Sequence, residues 1–600
     1  QRGLNAAGTT DTVLVSSGTY IENIIWPETS SVTLRGSDRE TTIIDGGGIG
    51  SVITMSNSVE NASVSGFTIT NGQFQEDINS PYYQLSGGIN IGTTYEAETT
   101  AILSDLHITN NAGWGGGGIL SQPHSFLDLS NSVIDQNTAA TGGGMQLAGG
   151  FIIDSVDIIN NNGYGIYFYY AQGQISNSRI SNNGMGMFIV GANYEEINGD
   201  LESPGIIFDH VEIIDNLGGM YPEQIGISSS TNGSSLNNVL FNHVTIALTD
   251  PDSYDYSAIR TQTGGPPTHP PVNITLRNSI IGQHSGGAIL HLTPEAEGEV
   301  NVVIEYSNIA GGESAIIDED SLVYEDNIDS DSRFVDSENG DFHLLASSPC
   351  INSGDPDFTD SDGTRSDIGV YPYLIDNTEP VWYINNTTGN DITGTGTFVN
   401  PFASIQAGIN FSSDADNVIV AAGTYVENID FIGKNIVVQG EDRETTIIDG
   451  NQNGTVVTFS NEEDSTAVLS GFTIQNGYAE IAGGIRINYS HPQLTDLTIS
   501  NNSSWDHGGG LFCGGSNSVI ENVIISGNSA ETNGGGIFLN FSPNMILNDV
   551  AISDNTAGVK GGGIYSEGSD LSLSNSTIEN NSSGYGGGLH LVNGYVELDN

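Results

Sequence analysis

The chain has 600 residues, with 12 lysines and arginines against 73 aspartates and glutamates, a formal charge of −61. That charge excludes nucleic acid and anionic membrane as partners, favours cations such as calcium, and suits a soluble protein outside the cell or in high salt. A hydrophobic content of 36 % with 79 glycines is low for a globular enzyme, and the length exceeds one ordinary domain, so a long solenoid or at least two domains are expected.

The opening of the chain recurs later. Gln1 to Asn23 matches Gln406 to Asn428, with SSGTYIENI against AAGTYVENI. SDRETTIIDG at Ser37 to Gly46 matches EDRETTIIDG at Glu441 to Gly450, and SGFTITNG from Ser65 matches SGFTIQNG from Ser470. Only the later copy has a lead-in, Trp382 to Asn385 followed by NPFASI from Asn400. Gln1 is therefore expected to fall inside an element, with the N-terminal cap and any targeting segment outside this stretch.

An isoleucine column follows in the first copy: Ile108, Ile134, Ile158, Ile180, Ile213, Ile246 and Ile281, at intervals of 26, 24, 22, 33, 33 and 35. The longer intervals carry insertions, 193–204 and 250–271, expected to emerge as side loops that shape a binding surface. From Asp329 the pattern stops, and 331–371 is read as the closing coil and cap of a first helix spanning 1–330. Residues 372–380 are then a linker, and 381–600 a second helix, entered through a short amphipathic helix at Ser404 to Phe411 and truncated at its C-terminus.

The second copy has the clearest period. Four glycine runs end in Leu511, Ile537, Ile564 and Leu589, spaced 26, 27 and 25. Asn502, Asn528, Asn555 and Asn581 keep the same beat, as do Ile499, Ile525, Ile552 and Ile578. Alternating apolar segments such as Leu497-Thr498-Ile499 are strands, and the glycine and Asn/Ser clusters between them are turns. One strand-and-corner unit stacked on itself at about 4.8 Å is the coil of a parallel β-helix, and its buried asparagines form a ladder. The fold expected is all-β: two tandem right-handed parallel β-helices, three-faced, with about 22–35 residues per coil. Cys350 and Cys513 are 163 residues apart and make no disulfide framework. Cys513 is expected to face inward.

The entry NPFASIQAGI…VIVAAGTYVENI, the repeated GGG[IL] with x-N-N coils, and the closing FVD…DFHL…SPCINSGDP…DGTRSDIGVY resemble right-handed parallel β-helix proteins of the pectin-lyase-like class. The coils are also similar to those of chlamydial polymorphic outer-membrane proteins. The resemblance implies large secreted or cell-surface proteins, and it is weak for activity, because the architecture serves lyases, hydrolases, adhesins and plain stalks.

Candidate sites follow from strand alternation. If the residue after each glycine run points inward, the next points outward. Arg486, Phe512, Phe538, Tyr565 and His590 then form one outward column, and Asn90, Leu120, Gln146, Tyr167 and Phe188 another, with Tyr169 two residues on. Such rings either offer a platform to sugar rings, as the resemblance implies, or stack on one another as a ladder. A lyase would need a Lys or Arg base beside an acidic calcium cluster, and a hydrolase facing carboxylates. The nearest set is Asp506 and His507 near Arg486, and family signatures are not reproduced around it. Asp355, Asp357, Asp360, Asp362 and Asp367 alternate around Gly363 as calcium loops do, without the spacing of an EF-hand and with Arg365 as the other local counter-charge. In the duplicated DRETTIIDG, Arg39 and Arg443 with Asp45 and Asp449 read as a corner salt bridge. The favoured function is a non-catalytic, monomeric stalk or adhesin-like module that binds extracellular polysaccharide or cell-surface glycan. The alternative is a polysaccharide lyase or glycoside hydrolase.

Overall fold

The computed structural model describes residues 1–28, 31–55, 59–73, 86–92, 98–192, 205–216, 223–228, 237–249, 257–262, 271–282, 290–293, 300–317, 321–375 and 380–599. The insertion 193–204 and most of 250–271 lie outside the described residues, as do 376–379 of the linker. Two compact units result. Unit 1 comprises Gln1–His343 with Asn352–Pro372, and unit 2 comprises Leu344–Ile351 with Tyr373–Asn600.

Unit 1 is a parallel β-helix. Each strand pairs in parallel with the strand one coil on, and the isoleucine column lies in register, from Ile108 beside Ile134 through Ile246 beside Ile281. Every member of that column is at most 1 % exposed. A second wall, Ile89, Ile119, Met145, Ile166, Met187, Ile225 and Ile259, faces it across the interior. Burying each of these side chains stabilises the stack by about 1.5–3 kcal/mol.

A buried asparagine ladder closes one corner. Backbone N–H groups of Asn111, Asn137, Asn161 and Asn183 each donate to Oδ1 of the ladder residue one coil on, at 3.0 Å, ending at Asn216. Each Nδ2 donates to an isoleucine carbonyl of an earlier coil, Ile69, Ile108, Ile134, Ile158 and Ile180 in turn. A buried corner thus leaves none of these groups without a partner, which is the condition for burying it. A different corner bends through a left-handed residue in every coil: Asp105, Asn131, Ser155, Asn177, His210, His243 and Asn278, with φ between 48° and 58°. Asn and Asp tolerate that conformation, and histidine takes it in two successive coils.

The segment 331–371 departs from the expected single cap. Leu344–Ile351 belongs to unit 2, where Ala346 N–H donates to Asp391 O and Asn410 Nδ2 donates to the carbonyls of Ala346 and Ser348. Residues 352–372 run back along the flank of unit 1, because their polar groups find partners there. Asp355 N–H donates to Asn278 Oδ1 (2.6 Å), Val370 N–H to Thr245 Oγ1 (3.1 Å) and Tyr371 Oη to Glu212 Oε2 (2.5 Å). Burial raises the Glu212 carboxyl, an effect opposed by the Tyr371 bond and Arg179.

Unit 2 has three sheets, hence three faces. One runs from Val381–Ile384 to Val596–Asp599, one from Ile429–Asp430 to Leu589–Val592, and a shorter one from Tyr478–Ile481 to Thr556–Ala557. The ladder of Asn502, Asn528, Asn555 and Asn581 forms as the spacing predicts, with backbone bonds of 2.9–3.0 Å. Within each triplet the glycines do different things. The first, Gly508, Gly534, Gly561 or Gly586, has a left-handed φ between 61° and 69°. A Cβ on the second or third in the first three runs would strike backbone or ladder atoms, mostly of the following coil. Both cysteines are buried and outside any disulfide.

The short helix is Ile405–Phe411, buried throughout, so it is less amphipathic than the pattern suggests. Lys434 Nζ donates to the carbonyls of Ile409 (2.9 Å) and Asn410 (2.6 Å) at its C-terminal end. Burial, partly offset by Asp414 and Asp416, lowers that ammonium from 10.5 to about 8. Between these values the unfolded chain holds the proton and the folded chain does not, so stability rises with pH through that window. Relative to Lys434→Met, the wild-type chain is expected to gain about 1–3 kcal/mol between pH 8 and 10.5, read from urea melts at each pH. Equal slopes for the two proteins would refute this.

Candidate functional site

The outward column of unit 2 is in register: Arg486 beside Phe512, then Phe538, Tyr565 and His590. Its rings stack at centroid distances of 5.7, 4.9 and 5.5 Å, with interplanar angles of 14°, 20° and 6°. They are not the exposed platform the alternation suggests. Phe512, Phe538 and Tyr565 are 8, 4 and 5 % exposed, packed with Ala482 and Ile481, and His507 stacks on Phe538 at 4.5 Å. The chain just before each glycine run folds back over this face, so the column is an internal ladder worth about 0.5–1.5 kcal/mol per ring pair beyond its burial. Arg486 remains exposed and His590 half-buried.

Unit 1 differs. Tyr167 and Phe188 stack at 6.0 Å, and Tyr164 packs against both at 5.7 and 5.5 Å. All three rings are half-buried, and Tyr169, 39 % exposed, meets Tyr170 edge-on at 4.7 Å. Burial raises the Tyr167 hydroxyl, with the neighbouring tyrosines adding to it. The same row continues on one side into Gln146, Leu120 and Asn90, all buried, so the aromatic patch is local to these coils. Tyr164 and Tyr170 escaped the sequence reading because they sit off the strand position that the glycine runs mark.

Asp506 and His507 come together, and Thr532 engages one side-chain atom of each. Thr532 Oγ1 donates to the Asp506 carbonyl (2.6 Å) and lies 2.9 Å from Asp506 Oδ1, and it pairs with His507 Nδ1. Arg486 stands on the neighbouring column, beside Phe512. The five aspartates of 355–367 do not converge on one point. Asp355 Oδ1 accepts from Asp357 N–H, Asp360 Oδ2 from Asp367 N–H, Asp362 Oδ1 from Thr364, and Asp367 Oδ1 from Asn352 N–H. The Asp355 and Asp362 bonds are local Asx turns, while those of Asp360 and Asp367 tie together stretches 7 and 15 residues apart. Arg365 lies over the Tyr306 ring at 5.9 Å and donates through Nε to Gly354 O.

The duplicated arginines do make corner contacts, with different partners from those expected. Arg443 reaches Asp496 (3.4 Å) and the Asn522 carbonyl (2.9 Å), and Arg39 reaches Asp105 (3.6 Å) and the Asn131 carbonyl (3.1 Å). A guanidinium on a long stem spans two coils, so it staples the left-handed corner. Asp45 and Asp449 instead accept from the asparagines Asn71 and Asn476 of the following coil.

Parallel strands stacked in register around an aliphatic interior define a parallel β-helix protein. Residues 435–599 match the family described as right handed beta helix region. No curated protein matches the chain. Among solved structures the chain is similar to the PL6 family alginate lyase AlyGC, at 11 % identity and a TM-score of 0.26, covering 100 % of this chain and 98 % of that one. A mutant of the same lyase gives 11 % identity and a TM-score of 0.28, covering 100 % and 96 %.

Proposed function

We propose that this is a non-catalytic, extracellular β-helix module that holds glycan on the aromatic patch of unit 1. The supporting observation is the half-buried cluster of Tyr164, Tyr167 and Phe188 with the exposed Tyr169, in contrast to the covered ladder of unit 2. Flat rings fixed by their neighbours offer C–H-binding faces to a sugar at little entropic cost. A net charge of −61 repels uronate polymers and so favours neutral glycans. The bonded state of Asp506 and His507 supports a structural role for that pair over an acid–base one.

Retention on immobilised neutral polysaccharides, with release of reducing ends followed in parallel, tests this. The chain is expected to be retarded without cleaving the polymer. Tyr167→Ala combined with Phe188→Ala should weaken retention roughly tenfold, since each ring contact contributes about 0.5–1.5 kcal/mol. Retention that survives both substitutions would refute the assignment, and cleavage of the polymer would refute the non-catalytic reading.

A further inference from the structure

Asp209, His210 and His243 stand at the left-handed corner of two successive coils, on the flank that residues 352–372 cover. Their ligand atoms lie within 4.8 Å of one another, the one such group of histidines and acids among the described residues. The two imidazoles are stacked at 4.5 Å and 17°. His210 Nδ1 is 3.2 Å from Asp209 Oδ1, and His243 Nδ1 is 3.7 Å from the same oxygen. A tetrahedral zinc site with Zn–N near 2.0 Å sets its ligand atoms roughly 3.3 Å apart, between those two separations.

The second observation is an orphan. His243 is 7 % exposed, and its Nδ1 is buried without a hydrogen-bond partner. The other nitrogen, Nε2, lies 2.6 Å from Ser366 Oγ. Ser366 in turn donates to the Asp367 carbonyl (3.3 Å), which makes its oxygen an acceptor for Nε2–H. With Nε2–H donating to Ser366, the other tautomeric position, Nδ1, faces Asp209 Oδ1 at 3.7 Å with its lone pair. The Asp209 carboxylate is half-buried, and a cation set between it and the buried Nδ1 would satisfy both acceptors. Asn242 Nδ2, 2.8 Å from Asp209 Oδ1, orients the carboxylate, and Ser366 holds the imidazole as second partners of metal ligands do. Burial raises the Asp360 carboxyl, an effect opposed by its bond from Asp367 N–H and by the charges of His243 and His210.

We infer that Asp209, His210 and His243 bind one borderline divalent cation of the zinc, cobalt or nickel class, through two imidazole nitrogens and one carboxylate. Two nitrogen ligands select against calcium and magnesium, which take oxygen. The ion would join two coils 33 residues apart, as His210 to His243 are spaced.

Titration of the whole chain with zinc chloride, followed by calorimetry, and with cobalt chloride, followed by visible absorption, tests the site. One equivalent of zinc is expected, competing with cobalt and unaffected by excess calcium. Asp209→Asn and His243→Ala should remove the stoichiometric binding. Ser366→Ala, which keeps all three ligands, should weaken it by about tenfold or more. His210→Gln provides a less buried variant should His243→Ala fail to fold, as judged by circular dichroism. Absence of a zinc equivalent, displacement by calcium, or undiminished binding in folded His210→Gln would overturn the inference.

Discussion

Gly535→Ala is expected to unfold the coils of unit 2 around its rung, at a cost of about 3 kcal/mol or more. The middle glycine of that triplet does not have a positive φ, so conformational freedom is not what it supplies. A Cβ there would sit 2.4 Å from Thr556 O, 2.5 Å from Thr556 C and 2.6 Å from Gly562 O. All three atoms are backbone of the following coil, tied by Gly535 N–H to Gly561 O (3.1 Å) and its neighbours. No side chain can swing away, so the rungs must separate. Gly454→Ala is the contrast, because its Cβ meets nothing within 4 Å and only its φ of 88° is unfavourable. That change should cost about 1–2 kcal/mol. Urea denaturation followed by circular dichroism separates the two, and equal midpoints would contradict the steric account.

Asn528→Ala should be the next most damaging change. The side chain is 1 % exposed and makes four bonds of 2.9–3.1 Å. Its oxygen accepts from Asn502 N–H and Nδ2, and its Nδ2 donates to Ile499 O and Asn555 Oδ1. Alanine removes all four and strands partners that water reaches poorly. At about 1–3 kcal/mol for a stranded buried group, partly shared among neighbours, the loss should be roughly 3–5 kcal/mol. Asn581→Ala, at a half-buried position, should cost no more than about 1 kcal/mol, since solvent can replace its bonds. Thermal melts of both variants decide the matter; the same loss at both positions would mean that ladder burial is irrelevant.

The features legible in the sequence were those written in one residue type at one spacing. The isoleucine columns, the unit 2 asparagine ladder and the glycine corners each require a single chemistry per coil, so the period exposed them. The left-handed corner was hidden because Asp, Asn, Ser and His all satisfy it, and no single residue type marks it from Asp105 to Asn278. With it went Asp209, His210 and His243, whose histidines are 33 residues apart and whose orphan nitrogen depends on Ser366, more than a hundred residues further on. Alternation correctly gave the outward direction of Phe512, Phe538 and Tyr565. It could not tell that Ile481 and His507 lie over them, since cover comes from another part of the coil. The aspartates of 355–367 suggested calcium by composition, and the sequence did not reveal the backbone bonds that one oxygen each of Asp355, Asp360 and Asp362 accepts.

The allocation of Leu344–Ile351 to unit 2, between stretches of unit 1, bears on how the protein can be dissected. The backbone passes from one unit to the other three times, after His343, Ile351 and Pro372. A single cut anywhere in this region gives no clean pair of fragments. A recombinant piece ending at Pro372 would carry eight residues belonging to its neighbour, and one starting at Tyr373 would lack the carbonyls of Ala346 and Ser348 that Asn410 uses.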